Sequence, residues 1–357
     1  MAHIHNFSAG PCILPKEVMA EAAQAVVELN GSGLSLIEMS HRSKPFVAVM
    51  EEARDLVREL LNLPDRYEVL FLQGGASLGF LTAAHNLMRK DGSAAYVNTG
   101  TWSKKAIKEA KLLGDVRMIA SSEDSNYNHI PSDISFPSDV DYIHITSNNT
   151  IFGTQWQSLP QTNAPLVCDM SSDMFSRAFN VEDYALIYAG AQKNMGPAGT
   201  VLYIVDKEKL GFTERSIPSY LDLRVHLEKG SMFNTPPVFA VYTSMLMLRW
   251  IKANGGIAGM QARAAARAKM MYAAIDSNPL FTGHANLDSR SQMNATFRLT
   301  DDSLAEDFDK RWNAAGISGL KGHRSVGGYR ASMYNALPLE SVETLTKIMN
   351  EFAAVNA

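Results

Sequence analysis

Hydrophobic and polar positions along the chain alternate between two patterns. Short unbroken apolar runs, typical of strands buried on both faces, occur at 68–72, 94–97, 116–120, 142–146, 165–168, 184–188 and 200–205. Between and around these runs, apolar residues recur at helical spacing. Val18, Ala22, Ala25, Val26 and Leu29 share one face of a helix that begins after Pro15 and stops at Gly31. Phe46, Val49, Ala53, Leu56, Val57 and Leu60 share one face of a second helix, and a third runs from Leu78 to Met88. Further helices are predicted over 236–252, 260–277, 303–315 and 339–354, with a strand over 293–299. Their alanine- and methionine-rich faces read as core. Seven strands interleaved with helices predict an α/β domain with a mainly parallel seven-stranded sheet flanked by helices, followed by a smaller α+β domain.

Composition narrows the function classes. The chain has 357 residues, 46% of them hydrophobic, enough for one large domain and a smaller one. With 33 Lys+Arg against 37 Asp+Glu, the net charge of -4 excludes a general nucleic-acid or membrane surface, so anion recognition has to be local. Two cysteines, Cys12 and Cys168, make no disulfide framework, and the N-terminus lacks a charged segment followed by an apolar one. No apolar run approaches bilayer length, no internal repeat is present, and the protein reads as cytoplasmic.

In parallel sheets ligands gather at the carboxyl ends of the strands, and that is where the chemically interesting residues fall. Gln73-Gly74-Gly75-Ala76-Ser77 follows the first run and opens a helix, so small residues and a helix start offer backbone N–H groups to an anion. The spacing is neither G-x-G-x-x-G nor a Walker loop, since Phe80 stands where the Walker lysine belongs, and a plain tight turn is the alternative. Trp102 follows the second run, either as core or as a stacking face. Thr150 follows the fourth run. Asp169 follows the fifth, where a buried acid needs a cation or hydrogen bonds; the alternative is a cap on the Ser171-Ser172 turn. Lys193 lies in the glycine-rich stretch 189–197 between the last two runs. Partial desolvation there would lower its pKa and free the amine to attack a carbonyl, whereas an ordinary loop lysine would do nothing. A phosphate cradle, a stacking face, an acid for a pyridine nitrogen and a Schiff-base lysine are together the parts of a pyridoxal phosphate site. No metal is required.

Longer motifs carry a resemblance. Gly-Ala-Gln-Lys-Asn-Met-Gly-Pro-Ala-Gly around Lys193, Ser-Met-Phe-Asn-Thr-Pro-Pro at 231–237, and Lys-Gly-His-Arg-Ser-Val-Gly-Gly-Tyr-Arg-Ala-Ser at 321–332 closely resemble the phosphoserine aminotransferases, class V pyridoxal-phosphate-dependent enzymes. The Phe-Ser-Ala-Gly-Pro opening and Met-Ser-His-Arg at 39–42 extend the likeness nearly end to end. The resemblance implies a fold-type I aminotransferase architecture, with a large cofactor-binding domain over 16–258 and a small domain formed by 259–357 and the arm 1–15. It also implies one pyridoxal 5'-phosphate per subunit. Lys193 would link to it, Asp169 would pair with its ring nitrogen, Trp102 would stack on the ring and Thr150 would hydrogen-bond its hydroxyl. Ala76, Ser77 and Gln192 would meet the phosphate. Asn234 and Thr235 would complete the site of the neighbouring subunit in a homodimer. His41, Arg42, His323 and Arg324 would hold the substrate's phosphate or side-chain carboxylate, and Arg330 its α-carboxylate, as arginine's planar fork favours. Independently of the resemblance, Gly322, Gly327 and Gly328 predict a shaped turn around His323, Arg324 and Arg330, a solvated loop being the alternative.

The implied reaction moves the amino group from L-glutamate to 3-phosphohydroxypyruvate, giving O-phospho-L-serine and 2-oxoglutarate in serine biosynthesis; some members also use the 4-phosphohydroxythreonine pair in pyridoxine biosynthesis. One departure stands out: many members carry Gly-Arg where this chain has Ala76-Ser77, one positive charge fewer at the substrate. Another class V aminotransferase of the same fold is the alternative. A cysteine desulfurase would need a cysteine on a mobile loop by the cofactor, whereas Cys168 lies in a strand and Cys12 in the arm. A nucleotide-binding protein lacks its fingerprints, and an interaction protein has no need of the lysine, aspartate and cations together.

Overall fold

The computed structural model of the chain describes residues 4–356. Its centre is a seven-stranded sheet of β1 (Tyr67–Leu72), β2 (Ser93–Asn98), β3 (Asp115–Ser121), β4 (Tyr142–Thr146), β5 (Leu166–Asp169), β6 (Leu186–Gly190) and β7 (Val201–Asp206). The spatial order is β1-β7-β6-β5-β4-β2-β3. All neighbours pair in parallel except β7, which is antiparallel to both β1 and β6. The reversal follows from chain length: the short stretch from β6 to β7 can close a hairpin but is too short for a parallel crossover. The loop carrying Lys193 is that hairpin connection. The other six strands run the same way, so the ends of β1, β2, β4, β5 and β6 open onto one edge.

Alternate residues of the strands feed two cores. Ile187 and Ala189 of β6 join Val18, Phe46 and Val241, from α1 (Lys16–Val27), α2 (Lys44–Leu61) and α6 (Val238–Ala253). Leu186 and Tyr188 face the other way, onto Phe80, Ala106 and Leu223, from α3 (Gly75–Leu87), α4 (Thr101–Ala110) and α5 (Leu223–Glu228). This makes a three-layer sandwich in which apolar runs are buried on both faces. Only the edge strand β3 is substantially exposed, with Asp115, Arg117 and Met118 outward, charges that protect an open edge.

A second cluster is built on a three-stranded antiparallel sheet, β8 (Phe281–Gly283), β9 (Asn294–Leu299) and β10 (Tyr329–Ser332), covered by α8 (Ala305–Ala314) and α9 (Leu339–Asn356). His5–Asn6 of the N-terminal arm pairs in parallel with Ile317–Ser318, and Phe7 is buried in this cluster. α7 (Gly256–Asp276) belongs to both units: Met260 lies in the large core, while Ala268, Met271 and Ile275 lie in the small one. Among the described residues no helix is long and apolar enough to cross a membrane.

Three local readings of the sequence need correction. The helix expected from Leu78 begins at Gly75, so Ala76 and Ser77 belong to its first turn rather than to a preceding loop. Gly74 caps it with φ of +100°, and a Cβ there would sit 2.4 Å from Leu78 Cδ2, so a glycine is needed. Arg330, expected in a glycine-shaped turn, lies on β10 paired opposite Thr296. The helix expected from 260 begins at Gly256, on the far side of the 258/259 division.

Candidate active site

Where the carboxyl ends of the strands meet, a cavity of about 310 Å³ is lined by Gly10, Gly74, Gly75, Ala76, Ser77, Trp102, Thr146, Asn148, Thr150, Asp169, Ser171, Ser172, Gln192 and Lys193. Seven residues singled out from the sequence, from Ala76 to Lys193, are therefore brought together from five different strand ends. At one wall, the first turn of α3 presents Gly75, Ala76 and Ser77 to the cavity with unpaired N–H groups and the positive end of the helix dipole, a cradle for an anion.

Lys193 is buried, 9% exposed. Its Nζ donates to Thr150 Oγ1 at 3.2 Å and to the Ala9 carbonyl of the N-terminal arm at 3.2 Å. Burial, and then the charge of Arg330, lower its pKa from 10.5 to about 8, against smaller pulls upward from Asp169 and Cys12. Roughly a tenth to a fifth of its amine is therefore neutral near physiological pH, against about one part in a thousand for an ordinary lysine. The Ala9 carbonyl also accepts from Tyr334 Oη at 2.8 Å, and the Lys193 loop is fixed by Asn194, whose Oδ1 accepts from Asn335 N at 2.9 Å.

Asp169, at the end of β5, is 3% exposed. Burial raises its pKa from 3.8 to about 6, although hydrogen bonds from Ser171 and the charge of Lys193 favour the ionised form. Ser171 N donates to Asp169 Oδ1 at 2.9 Å, so the carboxylate does make the turn that the sequence suggested while still lining the cavity. One carboxylate with so few donors is suited to a cation brought in by a ligand. Thr146, opposite Asp169 in the β4–β5 register, is likewise buried in the lining, and its Oγ1 has no hydrogen-bond partner among the described residues.

The remaining predicted residues lie outside this lining. Arg330 is half-buried and reaches the cavity's edge, its Nη1 donating to the Thr150 carbonyl at 3.4 Å, with its Nε buried and unpartnered. His323 is half-buried with Nδ1 2.7 Å from Ser325 Oγ, and Arg324 is exposed. His41 and Arg42 occupy the loop before α2; burial and then Arg42 lower the pKa of His41. Asn234 and Thr235 precede α6, and the Thr235 carbonyl accepts from Gln73 Nε2 at 2.6 Å, which ties that segment to the glycine turn.

Sequence reasoning missed Thr146, Asn148 and Ser172 as lining residues, although polar side chains directly after an apolar strand were a usable signal. For Ala9 and Gly10 it had only the Phe-Ser-Ala-Gly-Pro opening, which gave them no place at the site, and it had no signal for Tyr334; these arrive from the arm and the small unit. Cys12, set aside as remote, is in fact adjacent to the site, its Sγ donating to the Lys193 carbonyl. Burial pushes its thiol up to about 12 despite Lys193, so it is held protonated and is a poor nucleophile.

Comparison with known proteins agrees with this geometry. The model of the class-V aminotransferases matches residues 4–345. The chain is 61% identical to phosphoserine aminotransferase of Flavobacterium psychrophilum over 348 residues, covering 97% of this chain and 98% of that protein. It is 52% identical to the enzyme of the same name from Bacteroides fragilis, covering 98% of each. Phosphoserine aminotransferase from Bacillus circulans subsp. alkalophilus superposes with a TM-score of 0.96 at 42% identity, covering 99% of both chains. A phosphoserine aminotransferase from Trichomonas vaginalis, solved with pyridoxal phosphate (PLP) bound, superposes with a TM-score of 0.92 at 36% identity, covering 98% of this chain and 100% of that one. On the fold, the clustered lysine, aspartate and anion cradle, and these likenesses, the chain belongs to the class-V aminotransferase family, among the phosphoserine aminotransferases.

Proposed function

We propose that the protein transfers the amino group of L-glutamate to 3-phosphohydroxypyruvate, forming 2-oxoglutarate and O-phospho-L-serine, with pyridoxal 5'-phosphate as cofactor. The observation that carries the reading is a buried lysine with its pKa lowered to about 8 sharing one cavity with a buried aspartate and a helix N-terminus. The residues present fit the cofactor. Asp169 lacks a cationic partner that a pyridinium would supply, Thr146 Oγ1 lacks any partner, and Gly75, Ala76 and Ser77 leave the helix start open to a phosphate.

When bound, the cofactor supplies an aldehyde for the amine and a ring that withdraws electrons from the substrate's Cα. The chain contributes the rest. Lys193 offers a neutral amine, first as the cofactor's attachment point and then as the base that moves the Cα proton. Asp169 keeps the ring nitrogen charged, Thr150 orients Lys193 Nζ, and Gln192, Ala76 and Ser77 anchor the phosphate. Arg330 fixes the α-carboxylate beside Thr150. His323, Arg324, His41 and Arg42 serve the distal anion, which is a carboxylate in one substrate and a phosphate in the other. Both amino acids thus use one set of cations in turn.

His41, Arg42, Asn234 and Thr235 are given to the neighbouring subunit of a homodimer in this reading. Two facts support it: none of the four lines the cavity of its own chain, and each pair lies just after exposed apolar residues, Leu34 and Ile37 in one case and Phe233 in the other. We assign residues 16–258 to the cofactor-binding unit and 259–357 with the arm to the small one, α7 bridging them. The assay is direct. Cofactor-loaded protein given O-phospho-L-serine without keto acid is expected to change its visible spectrum and release one equivalent of 3-phosphohydroxypyruvate per subunit. A response to another amino acid but not to this one would sink the substrate assignment, and the same measurement with 4-phosphohydroxythreonine tests the pyridoxine branch.

A further inference from the structure

The outer face of α4 carries Lys104, Lys105 and Lys108, with Lys111 just beyond its end. Lys104 is neutralised by an ion pair with Glu123. Lys105 is not: among the described residues no carboxylate lies within ion-pair distance of it, and its Nζ instead rests 4.7 Å from the centre of the Trp102 ring. The two residues are three apart, the spacing that sets side chains over one another on a helix. Trp102 lines the cavity. It also packs, together with Val326, on the small cluster of Tyr127, Ile151 and Phe152, so α4 and the loop bearing His323 and Arg324 flank the same apolar patch. The fields at His323 agree with that closeness: burial first, then Arg330, Arg324 and Lys105 lower its pKa. Positive groups from α4, the 321–328 loop and β10 therefore act together on His323, and the nearby acid of α4's surface, Glu123, is already paired with Lys104.

We propose that Lys105 is a specificity-determining residue: its ammonium leaves the Trp102 face to meet the phosphate of the phosphorylated substrate, and so favours that substrate over glutamate. This rests on reading the cavity as a phosphoserine site. A phosphate monoester carries nearly two negative charges at neutral pH and a glutamate side chain carries one, so one more nearby cation strengthens the first more than the second. Lysine suits the task. It is a point charge on a flexible stem, and an exposed lysine resting on a half-buried indole gives up less than a dianion returns.

The test uses the cofactor-loaded enzyme and its Lys105→Gln and Lys105→Arg variants, with circular dichroism to show that each is folded. Apparent dissociation constants for O-phospho-L-serine and L-glutamate are read from spectral titrations of each half-reaction. Lys105→Gln is expected to weaken O-phospho-L-serine about three- to ten-fold more than it weakens L-glutamate, and Lys105→Arg to restore most of the difference. Added salt should weaken phosphoserine binding more steeply in the wild type than in Lys105→Gln. Equal effects on the two amino acids, or none on either, would overturn the assignment while leaving the reaction intact. A wild-type enzyme that responds to other amino acids and not to O-phospho-L-serine would instead overturn the functional reading, and the role of Lys105 with it.

Discussion

Two buried ionisable groups carry opposite costs. Lys193 is disfavoured as a cation and Asp169 as an anion, each chiefly because burial removes water. Replacing Lys193 by Ala is expected to abolish turnover while cofactor still binds through the phosphate cradle, and a sizeable residual transamination rate would refute its role. Asp169→Asn keeps the shape and removes the charge; we expect kcat to fall by about 100-fold or more, since a preorganised charge at the reacting ring is lost. The rate at which cofactor-free protein captures pyridoxal phosphate should rise with pH and level off near the lysine's value of about 8, well below the ordinary 10.5. Stability follows the same group with a defined sign. Because its folded pKa is depressed, charged Lys193 costs the fold most below about pH 8, and the cost disappears as pH rises toward 10.5. The Tm of cofactor-free Lys193→Met should thus compare best with wild type below pH 8 and lose that advantage in alkali.

At the level of elements, α3 lies so close to the sheet that a Cβ on Gly79 would come within 2.6 Å of Tyr188 Cδ2. Gly79→Ala should cost about 1–3 kcal/mol, as overpacking a filled core does, measured as a lower denaturant midpoint at unchanged slope. The shift of α3 would also move the N–H groups that face the cavity, so cofactor affinity should fall in parallel. The same close packing explains what the sequence did and did not disclose. Strands β1, β2 and β4 to β7 were legible because burial on both faces leaves them almost wholly apolar. The reversed direction of β7 was not, since direction is set by the length of the Lys193 connection and not by residue type. The start of α3 was misplaced because two glycines look like a turn, and here they are the cap and first residue of a helix. β10 was missed because its four residues include Arg330 and Ser332, which pair with β9 for reasons of topology rather than pattern. Lys193, Asp169, Trp102 and Thr150 could be picked out because each follows an apolar run. Ala9, Gly10 and Tyr334 could not, because nothing local marks a residue whose partner is hundreds of positions away.

For the molecule as a whole, the proposed exchange of residues between subunits makes a quantitative claim. Lys193→Ala and an Asn234→Ala/Thr235→Ala variant should each be nearly inactive alone. Mixed and allowed to reassort, they form hybrid dimers in which one site has both its lysine and its neighbour's asparagine and threonine. About a quarter of wild-type activity should return if the reassortment is statistical. Absence of any recovery in dimers shown to have exchanged would place all site residues within one chain.

The acceptor at Ala9 has a further consequence. One carbonyl of the arm holds both the Lys193 ammonium and the Tyr334 hydroxyl, and the arm itself is held by buried Phe7, two strand residues, the His5–Ser341 and Cys12–Lys193 hydrogen bonds and a few backbone bonds. The basicity of the active lysine is therefore hostage to the order of the arm that carries Ala9. Fraying or clipping the arm would let water reach the amine and return its titration toward that of a surface lysine, with the catalytic sheet itself untouched.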